Sequence, residues 1–116
     1  MGAAEKALRV TRGGLSAVGG VQAAGVACGL KKDGRPDLAL VVADGPATVA
    51  ATFTLNRVRA APIVVSKRHL RGGRFAAIVL NSGNANACTG PQGLRDAEAT
   101  AAEAARLLGR PVGEVF

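Results

Sequence analysis

The feature that most constrains this chain is an uncharged, amide-rich segment at residues 81–90 between a strand and a helix. An apolar run at residues 75–80 predicts a buried strand, and residues 91–108 have the apolar spacing of an amphipathic helix. The segment between them contains three asparagines, two glycines and no charged residue. Loops that only connect elements are usually charged or rich in Pro, Gly and Ser. This arrangement therefore predicts a site that meets a substrate oxygen or an anion.

The loop at residues 81–90 supplies the candidate pocket residues. Asparagine amides donate hydrogen bonds to a carbonyl or a developing oxyanion without adding charge. The alternative is a structural Asx turn, with Thr89 or Gly90 capping the helix. We favour the functional interpretation because three asparagines fall within six positions beside an uncharged helix start. The candidate substrate-pocket residues are Asn81, Ser82, Gly83, Asn84, Asn86, Thr89 and Gly90.

Other types of site have weaker support in the sequence. No Gly-Lys-Ser/Thr follows the loop, and its glycine spacing differs from the dinucleotide fingerprint. Cys88 is a candidate nucleophile, because a helix N-terminus lowers the pKa of a thiol. Its only available histidine is His69, which lies in a basic run and is expected to be solvated. Cys28 is expected to be a small core residue, and no cluster has metal-ligand spacing.

Composition predicts one small domain with a thin core. The 116 residues are 48% hydrophobic, but they include no Trp, no Tyr and only three Phe. Because large side chains dominate core energetics, we expect this chain to pack against further polypeptide. Two distant cysteines, no secretory signal and no membrane-length apolar run indicate a soluble cytoplasmic protein with free thiols.

The charge distribution is strongly basic, with a formal net charge of +7. Residues 57–74 carry six Lys and Arg residues and no acid. Nucleic-acid binding is the first hypothesis for such a run, but base-stacking aromatics and a recognisable binding motif are missing. We favour a solvated basic face, with attraction for acidic metabolites second.

The predicted architecture is α+β, mainly an antiparallel sheet plus one long helix. Residues 1–20 are predicted to be a flexible arm with a helical start at residues 3–10, and residues 21–116 a domain incomplete at its C-terminus. Short turns between successive strands imply an antiparallel meander, followed by a helical turn at residues 67–70. Residues 112–116 begin another extended run. The predicted strands are residues 21–30, 37–43, 48–55, 62–66 and 75–80.

The sequence NSGNANACTG at residues 81–90 resembles a signature of the ornithine acetyltransferase family, ArgJ. These are the bifunctional glutamate N-acetyltransferases of arginine biosynthesis. Four other stretches agree with the family in order and spacing. They are AGVACGLK at residues 24–31, DLALV at 37–41, FTLNRVRAAP at 53–62 and GPQG at 90–93.

The resemblance implies the N-terminal part of the α chain in a DmpA/ArgJ-like α/β/β/α sandwich. In this family the precursor cleaves itself before a threonine, which then acts as the nucleophile of a second chain. It moves acetyl from N-acetylornithine to glutamate, forming ornithine and N-acetylglutamate. The implied partners are the rest of the α chain and the β chain, in a heterotetramer of two of each. No cofactor is bound, although some members accept acetyl-CoA as acetyl donor.

The family's catalytic segments have no counterpart within these 116 residues. They are its Ser-Thr-Gly segment, a later Lys-Gly segment and the Ala-Thr junction with the nucleophile chain. No catalytic residue is therefore carried over to this sequence, and we expect the chain alone to be inactive. Two alternatives stay open: an inactive stand-alone module that binds anions, and part of a related self-processing aminopeptidase.

Overall fold

A three-stranded antiparallel sheet and two helices confirm the predicted α+β class. A computed structural model describes residues 8–116, so most of the predicted helical start at residues 3–10 lies outside the described residues. The sheet order is β1-β2-β3. The elements are β1 (Val21–Val26), β2 (Leu38–Thr48), α1 (Ala61–Leu70), β3 (Arg74–Asn81) and α2 (Gly90–Leu108), with short 3₁₀ helices at Leu15–Ala17 and Val112–Glu114.

The first strand is shorter than predicted. β1 pairs with β2 in a register that runs from Val21 opposite Ala43 to Val26 opposite Leu38. The predicted continuation to residue 30 is wrong, because the Asp37 carboxylate accepts the backbone N–H groups of Cys28 and Lys31 instead. Cys28 is consequently exposed, which corrects its expected place in the core.

The second strand is longer than predicted. Residues 44–47, which connect the predicted strands at 37–43 and 48–55 and include Asp44, Gly45 and Pro46, lie within β2 and do not turn the chain. The pairing of β2 with β3 shifts between Val42 and Ala47, so these residues form an irregularity in the ladder. Proline lacks the N–H that a regular ladder requires, and a bulge is one of the few places where a sheet accommodates it.

Two predicted strands are absent from the described structure. Residues 49–60 form neither strand nor helix, so only Thr48 of the predicted third strand is extended within the sheet. The predicted fourth strand at residues 62–66 is the first half of α1, and the turn at residues 67–70 is its end. Pro62 suits the first turn of a helix, and Val65 is buried. Tertiary packing thus overrides the β-propensity of this Ile-Val-Val run.

The long helix α2 has the predicted boundaries to within one residue and packs through small side chains. It ends at Gly109, whose φ of 63° is left-handed, as helix C-caps require. Its buried residues recur every four positions, which lets its backbone approach the sheet closely. They are Gly93, Ala97, Ala101 and Ala105.

The C-terminal residues complete the core beside β3. Val115 is fully buried with Ala77, Ala101 and Ala105. The N–H of Phe116 donates to the Ala77 carbonyl at 2.9 Å, and the N–H of Val79 donates to the Phe116 carbonyl at 2.8 Å, in parallel pairing. The predicted extended run at residues 112–116 is therefore correct only for its last two residues, since Val112–Glu114 is a 3₁₀ helix.

Candidate functional site

The loop at residues 81–90 joins the end of β3 to the start of α2 and lines a cavity of about 430 Å³. Four of the seven candidate pocket residues face this cavity, namely Asn81, Asn84, Asn86 and Thr89. Asp96 and Thr100 of α2 add a carboxylate and a hydroxyl. The remaining wall is apolar and consists of Leu30, Leu38, Val79 and Ala85. Its volume lies within the range of small-molecule pockets, and its lining is more polar than that of most such pockets.

The second half of the loop is held by its own hydrogen bonds. The Asn86 Nδ2 donates to the Gly93 carbonyl at 2.7 Å, and the Thr89 hydroxyl donates to Asn86 Oδ1. The backbone carbonyl of Asn86 accepts the N–H of Ala61 at 3.0 Å, which ties the loop to α1. We call Asn86, Thr89 and Gly93 the amide knot. Both polar ends of the Asn86 side chain are used within it, so this asparagine has a structural role.

The first half of the loop leaves polar groups free toward the cavity. The Asn81 Nδ2 donates to the Asn84 carbonyl at 3.0 Å, which leaves the Asn81 Oδ1 as an acceptor. Within residues 8–116, the side-chain amide of Asn84 makes no hydrogen bond, and both asparagines are exposed. These are the groups that a ligand in the cavity can meet.

Ser82 and Gly83 bind the loop to the β1–β2 hairpin and do not line the cavity. The Ser82 N–H donates to the Asp37 carbonyl at 2.8 Å. Gly83 has a φ of +92°, and a Cβ there would lie 2.9 Å from the Lys31 Cγ. A side chain at this position would be strained by the backbone conformation and would have to displace the Lys31 stem.

Asp37, which the fold places next to this loop, is not among the pocket residues predicted from the sequence. Asp37 is 3% exposed, and its carboxylate accepts the N–H groups of Cys28 at 2.7 Å and Lys31 at 2.8 Å. These backbone hydrogen bonds lower the pKa of Asp37 to about 2, because they stabilise its charged form. A hydrogen bond to the same carboxylate raises the pKa of the Cys28 thiol. The available signal was a lone acid directly before an apolar strand.

Asp96 and Thr100 were also missed, although helical periodicity relates them to the loop. Thr89 precedes α2, and positions 96 and 100 follow it at spacings of seven and eleven residues, which lie on one helical face. The Asp96 carboxylate accepts a hydrogen bond from the Gln92 Nε2 at 2.7 Å, and the Thr100 hydroxyl donates to the Asp96 carbonyl. The helix thus supplies one wall of the cavity.

Gly90 and Cys88 lie outside the cavity that Asn81 and Asn84 line. They border a separate hollow of about 270 Å³, which Arg59 also lines. Cys88 is exposed and has a φ of 56°, a left-handed conformation that is uncommon for a residue other than glycine. Thr89 is the N-cap residue of α2, but its hydroxyl makes no capping bond because it joins the amide knot.

His69 is not the solvated histidine that the basic run predicted. Its Nδ1 lies 2.7 Å from the Val115 carbonyl oxygen, and its ring meets Phe116 edge-on at 6.3 Å. The side chain is half-buried at the C-terminal part of the core. Within the described residues, no hydrogen bond joins it to Cys88, so the geometry gives the suggested thiol–imidazole pair no support.

The basic run forms a surface groove of about 340 Å³ along α1. Arg59, Lys67, Arg68 and Arg71 line it together with Val64. Arg68 pairs with Glu98 at 2.6 Å, and Arg74 pairs with Glu114 at 3.0 Å, so α2 and the C-terminal residues supply acids that the run itself lacks. Exposed pairs of this kind contribute little to stability.

Residues 8–116 also bear on metal binding and on membrane spanning. No group of three or more His, Cys, Asp or Glu side chains in this range is arranged to hold a metal ion. None of the helices formed by these residues combines the length and apolar character needed to cross a bilayer.

The fold and the loop together define an α+β domain with a partly polar cavity where β3 meets α2. The sequence model of the ArgJ family matches residues 22–116, and the chain belongs to this family. Streptomyces coelicolor has an arginine biosynthesis bifunctional protein ArgJ that is 54% identical over 102 residues, which are 87% of this chain and 27% of the relative. Its Mycobacterium leprae counterpart is 51% identical over 96 residues, or 82% of this chain and 24% of that protein.

Solved structures agree with the fold. The crystal structure of the Bacillus halodurans arginine biosynthesis bifunctional protein ArgJ superposes with a TM-score of 0.85 at 39% identity, over 89% of this chain and 54% of that chain. The Mycobacterium tuberculosis ornithine acetyltransferase, solved as a complex with ornithine, gives a TM-score of 0.81 at 49% identity, over 88% and 56%. The chain spans about a quarter of the length of the curated relatives it matches.

Proposed function

We propose that this chain forms the N-terminal scaffold and one wall of the substrate pocket in an enzyme that transfers acetyl from N-acetylornithine to glutamate. The observation that carries the proposal is the polar cavity at the loop of residues 81–90, in a chain whose residues 22–116 match the ArgJ family. A cavity of about 430 Å³ accommodates an acylated amino acid.

The cavity lining suits a zwitterionic amino-acid ligand. The Asp96 carboxylate, the Asn81 Oδ1 and the Thr100 hydroxyl oxygen are acceptors for an ammonium group, whereas the Asn84 amide can donate to a carboxylate or carbonyl oxygen. Leu30, Leu38 and Val79 provide apolar surface for a methylene chain. The chain's own residues therefore bind and orient, and we assign none of them a catalytic role.

The chemical step belongs in this proposal to a second polypeptide chain. Its N-terminal threonine, released by self-cleavage of a precursor, attacks the acetyl carbonyl of N-acetylornithine, the amide bond breaks, and ornithine leaves with the proton on its amine. The amine of glutamate then attacks the threonine ester, which forms N-acetylglutamate and frees the threonine hydroxyl. A free α-amine near neutral pKa can act as general base for its own hydroxyl. Two such pairs of chains form the proposed assembly, in the cytoplasm, with acetyl-CoA as a possible second donor and no bound cofactor.

The test is a segment exchange in the Streptomyces coelicolor relative. Residues 22–116 of this chain replace the corresponding segment, and acetyl transfer from N-acetylornithine to glutamate is measured for the chimera, the intact relative and the 116-residue chain alone. We expect activity in the chimera and none in the chain alone. An inactive but folded chimera, or one that hydrolyses small peptides instead of transferring acetyl, contradicts the proposal.

The same chimera tests whether the side-chain amide of Asn84 contacts the substrate. Asn84→Ala is expected to lower kcat/KM at least about tenfold, since it removes the unpaired amide from the cavity wall. Gln22→Ala, which removes an amide distant from the loop, is the matched control and should retain the activity of the chimera. Equal activities of the two variants argue against a substrate contact by Asn84.

A further inference from the structure

The buried acid of the β1–β2 hairpin lies behind the candidate pocket and does not contact the cavity itself. Asp37 is 3% exposed, and the described residues provide no cationic side chain within salt-bridge distance of its carboxylate. Its two oxygens are occupied by backbone N–H groups, Oδ1 by that of Cys28 and Oδ2 by that of Lys31. A buried carboxylate used in this way fixes the path of the backbone that donates to it.

The backbone held by this carboxylate forms part of the pocket wall. Leu30, which lies between the two donors, lines the cavity together with Asn81 and Asn84. The carbonyl group of Leu30 and the Lys31 Cγ also lie against Gly83, within 3.4 Å and 2.9 Å of where a Cβ would stand. A movement of residues 28–31 therefore shifts both the apolar wall and the support of the loop.

The main chain of Asp37 adds a second connection to the same loop. Its carbonyl oxygen accepts the Ser82 N–H at 2.8 Å, one residue after the end of β3. One residue thus holds the hairpin through its side chain and the loop through its backbone. The backbone bond survives any substitution of the side chain, so the two connections can be separated experimentally.

We propose that Asp37 is a positioning residue for the candidate pocket: its carboxylate sets the place of Leu30 and Lys31, and through them the cavity wall and the loop at residues 81–90. This deepens the proposed function and rests on it for the identity of the ligand. The coupling between hairpin and loop is a property of the chain itself. The proposed function and the coupling between hairpin and loop can therefore be refuted independently of each other.

The first experiment measures the coupling without any substrate. Amide ¹H–¹⁵N spectra are compared for the 116-residue chain, Asp37→Asn and Asp33→Asn, which removes an exposed acid from the same hairpin. Asp37→Asn is expected to shift the amides of Cys28 and Lys31 and also those of Gly83 and Asn84. Asp33→Asn should leave the last two unchanged. Shifts that stop at residue 31 overturn the proposal.

Gly83→Ala tests the same contact from the loop side and does not disturb the buried acid. The added methyl group displaces the Lys31 stem, so the Lys31 amide resonance should move, while that of Asp44 at the far end of the hairpin should not. This variant keeps the proposal testable if Asp37→Asn does not fold. An unmoved Lys31 resonance shows that hairpin and loop are not coupled.

The second experiment measures the consequence for binding in the Streptomyces chimera. Asp37→Asn is expected to raise KM for the amino-acid substrate about three- to tenfold while kcat changes less than about twofold, because a binding wall moves and no reacting group does. Asp33→Asn should keep the KM of the chimera. If Asp37→Asn lowers only the yield of folded enzyme and leaves KM unchanged, its role is merely structural. If the unmodified chimera has no activity but the amide shifts occur, the proposed function fails and the coupling stands.

Discussion

The two halves of the loop at residues 81–90 use the same residue type for opposite purposes. In the second half, both ends of the Asn86 amide are bonded within the amide knot, and the chain there is locked to α1 and α2. In the first half, Asn84 keeps its amide free and Asn81 keeps a free oxygen beside the cavity. An amide that is fully bonded internally stabilises a fold, whereas an exposed unpaired amide has capacity for a ligand. The count of asparagines alone does not distinguish the two.

The largest loss of stability is expected for a substitution at Gly93, where the amide knot leaves no space for a side chain. Gly93 is buried, and a Cβ there would overlap the Thr89 hydroxyl and the Asn86 Oδ1 and lie 2.6 Å from the Thr89 Cβ. We expect Gly93→Ala to lower the free energy of unfolding by about 2–3 kcal/mol, since overpacking forces neighbours to move. Urea unfolding measures this loss.

Gly113→Ala is the matched control for the substitution at Gly93. A Cβ at position 113 meets no atom within 4 Å, and its φ is not left-handed, so the midpoint of unfolding should change little. If both substitutions have the same effect, the amide knot is not the tightly packed half of the loop.

Removal of the knot's amide is expected to have a smaller effect on stability. Asn86→Ala leaves the Gly93 carbonyl and the Thr89 hydroxyl without their partners, which should lower the free energy of unfolding by about 1–2 kcal/mol. Asn84→Ala, in the first half of the loop, should change the free energy of unfolding by less than about 0.5 kcal/mol. Thermal or urea unfolding of the two variants compares the halves directly. A reversed order of the two losses contradicts the assignment of their roles.

The contribution of Asp37 to the stability of the fold is expected to depend on pH. Backbone N–H donors lower the pKa of Asp37 to about 2, below its usual value of about 4. A depressed carboxyl pKa stabilises the fold above the unfolded-state pKa, and this contribution is lost as the pH falls from about 4 through about 2. The stability difference between the parent chain and Asp37→Asn, measured by urea unfolding from pH 5 to pH 2, should therefore shrink toward the acid end.

Asp33→Asn controls for the loss of one negative charge in the same hairpin, because its carboxylate is exposed and pairs with Arg35. A difference between the parent chain and Asp37→Asn that stays constant down to pH 2 shows that the carboxylate is not selectively stabilised in the folded chain.

The contrast between the two halves also shows what the sequence could predict. The strand before the loop, the helix after it and the asparagines beside a cavity follow from local periodicity and composition, because each depends on neighbours within a few residues. The helix at residues 61–70 was missed, since its Ile-Val-Val run favours a strand until burial of Val65 decides otherwise. Asp37 and the division of the loop depend on contacts between segments distant in sequence, such as that of Ser82 with Asp37. The acid before an apolar strand marks the position of Asp37 in the sequence, but no local pattern encodes its contacts with the loop.

The smallest effect on activity is expected at Cys88, which lies at the junction of the second half of the loop with α2. Its thiol is exposed, no histidine is bonded to it among residues 8–116, and it borders a hollow separate from the cavity that Asn81 and Asn84 line. Cys88→Ser should therefore keep the kcat/KM of the Streptomyces chimera within about twofold, whereas a catalytic thiol would lose several orders of magnitude. Cys88→Gly should raise the free energy of unfolding by up to about 1 kcal/mol, because glycine adopts the observed φ of 56° without strain. A large loss of activity in Cys88→Ser, with the fold intact, would restore the thiol as a nucleophile and move the reactive centre to the half of the loop that the hydrogen bonds assign to structure.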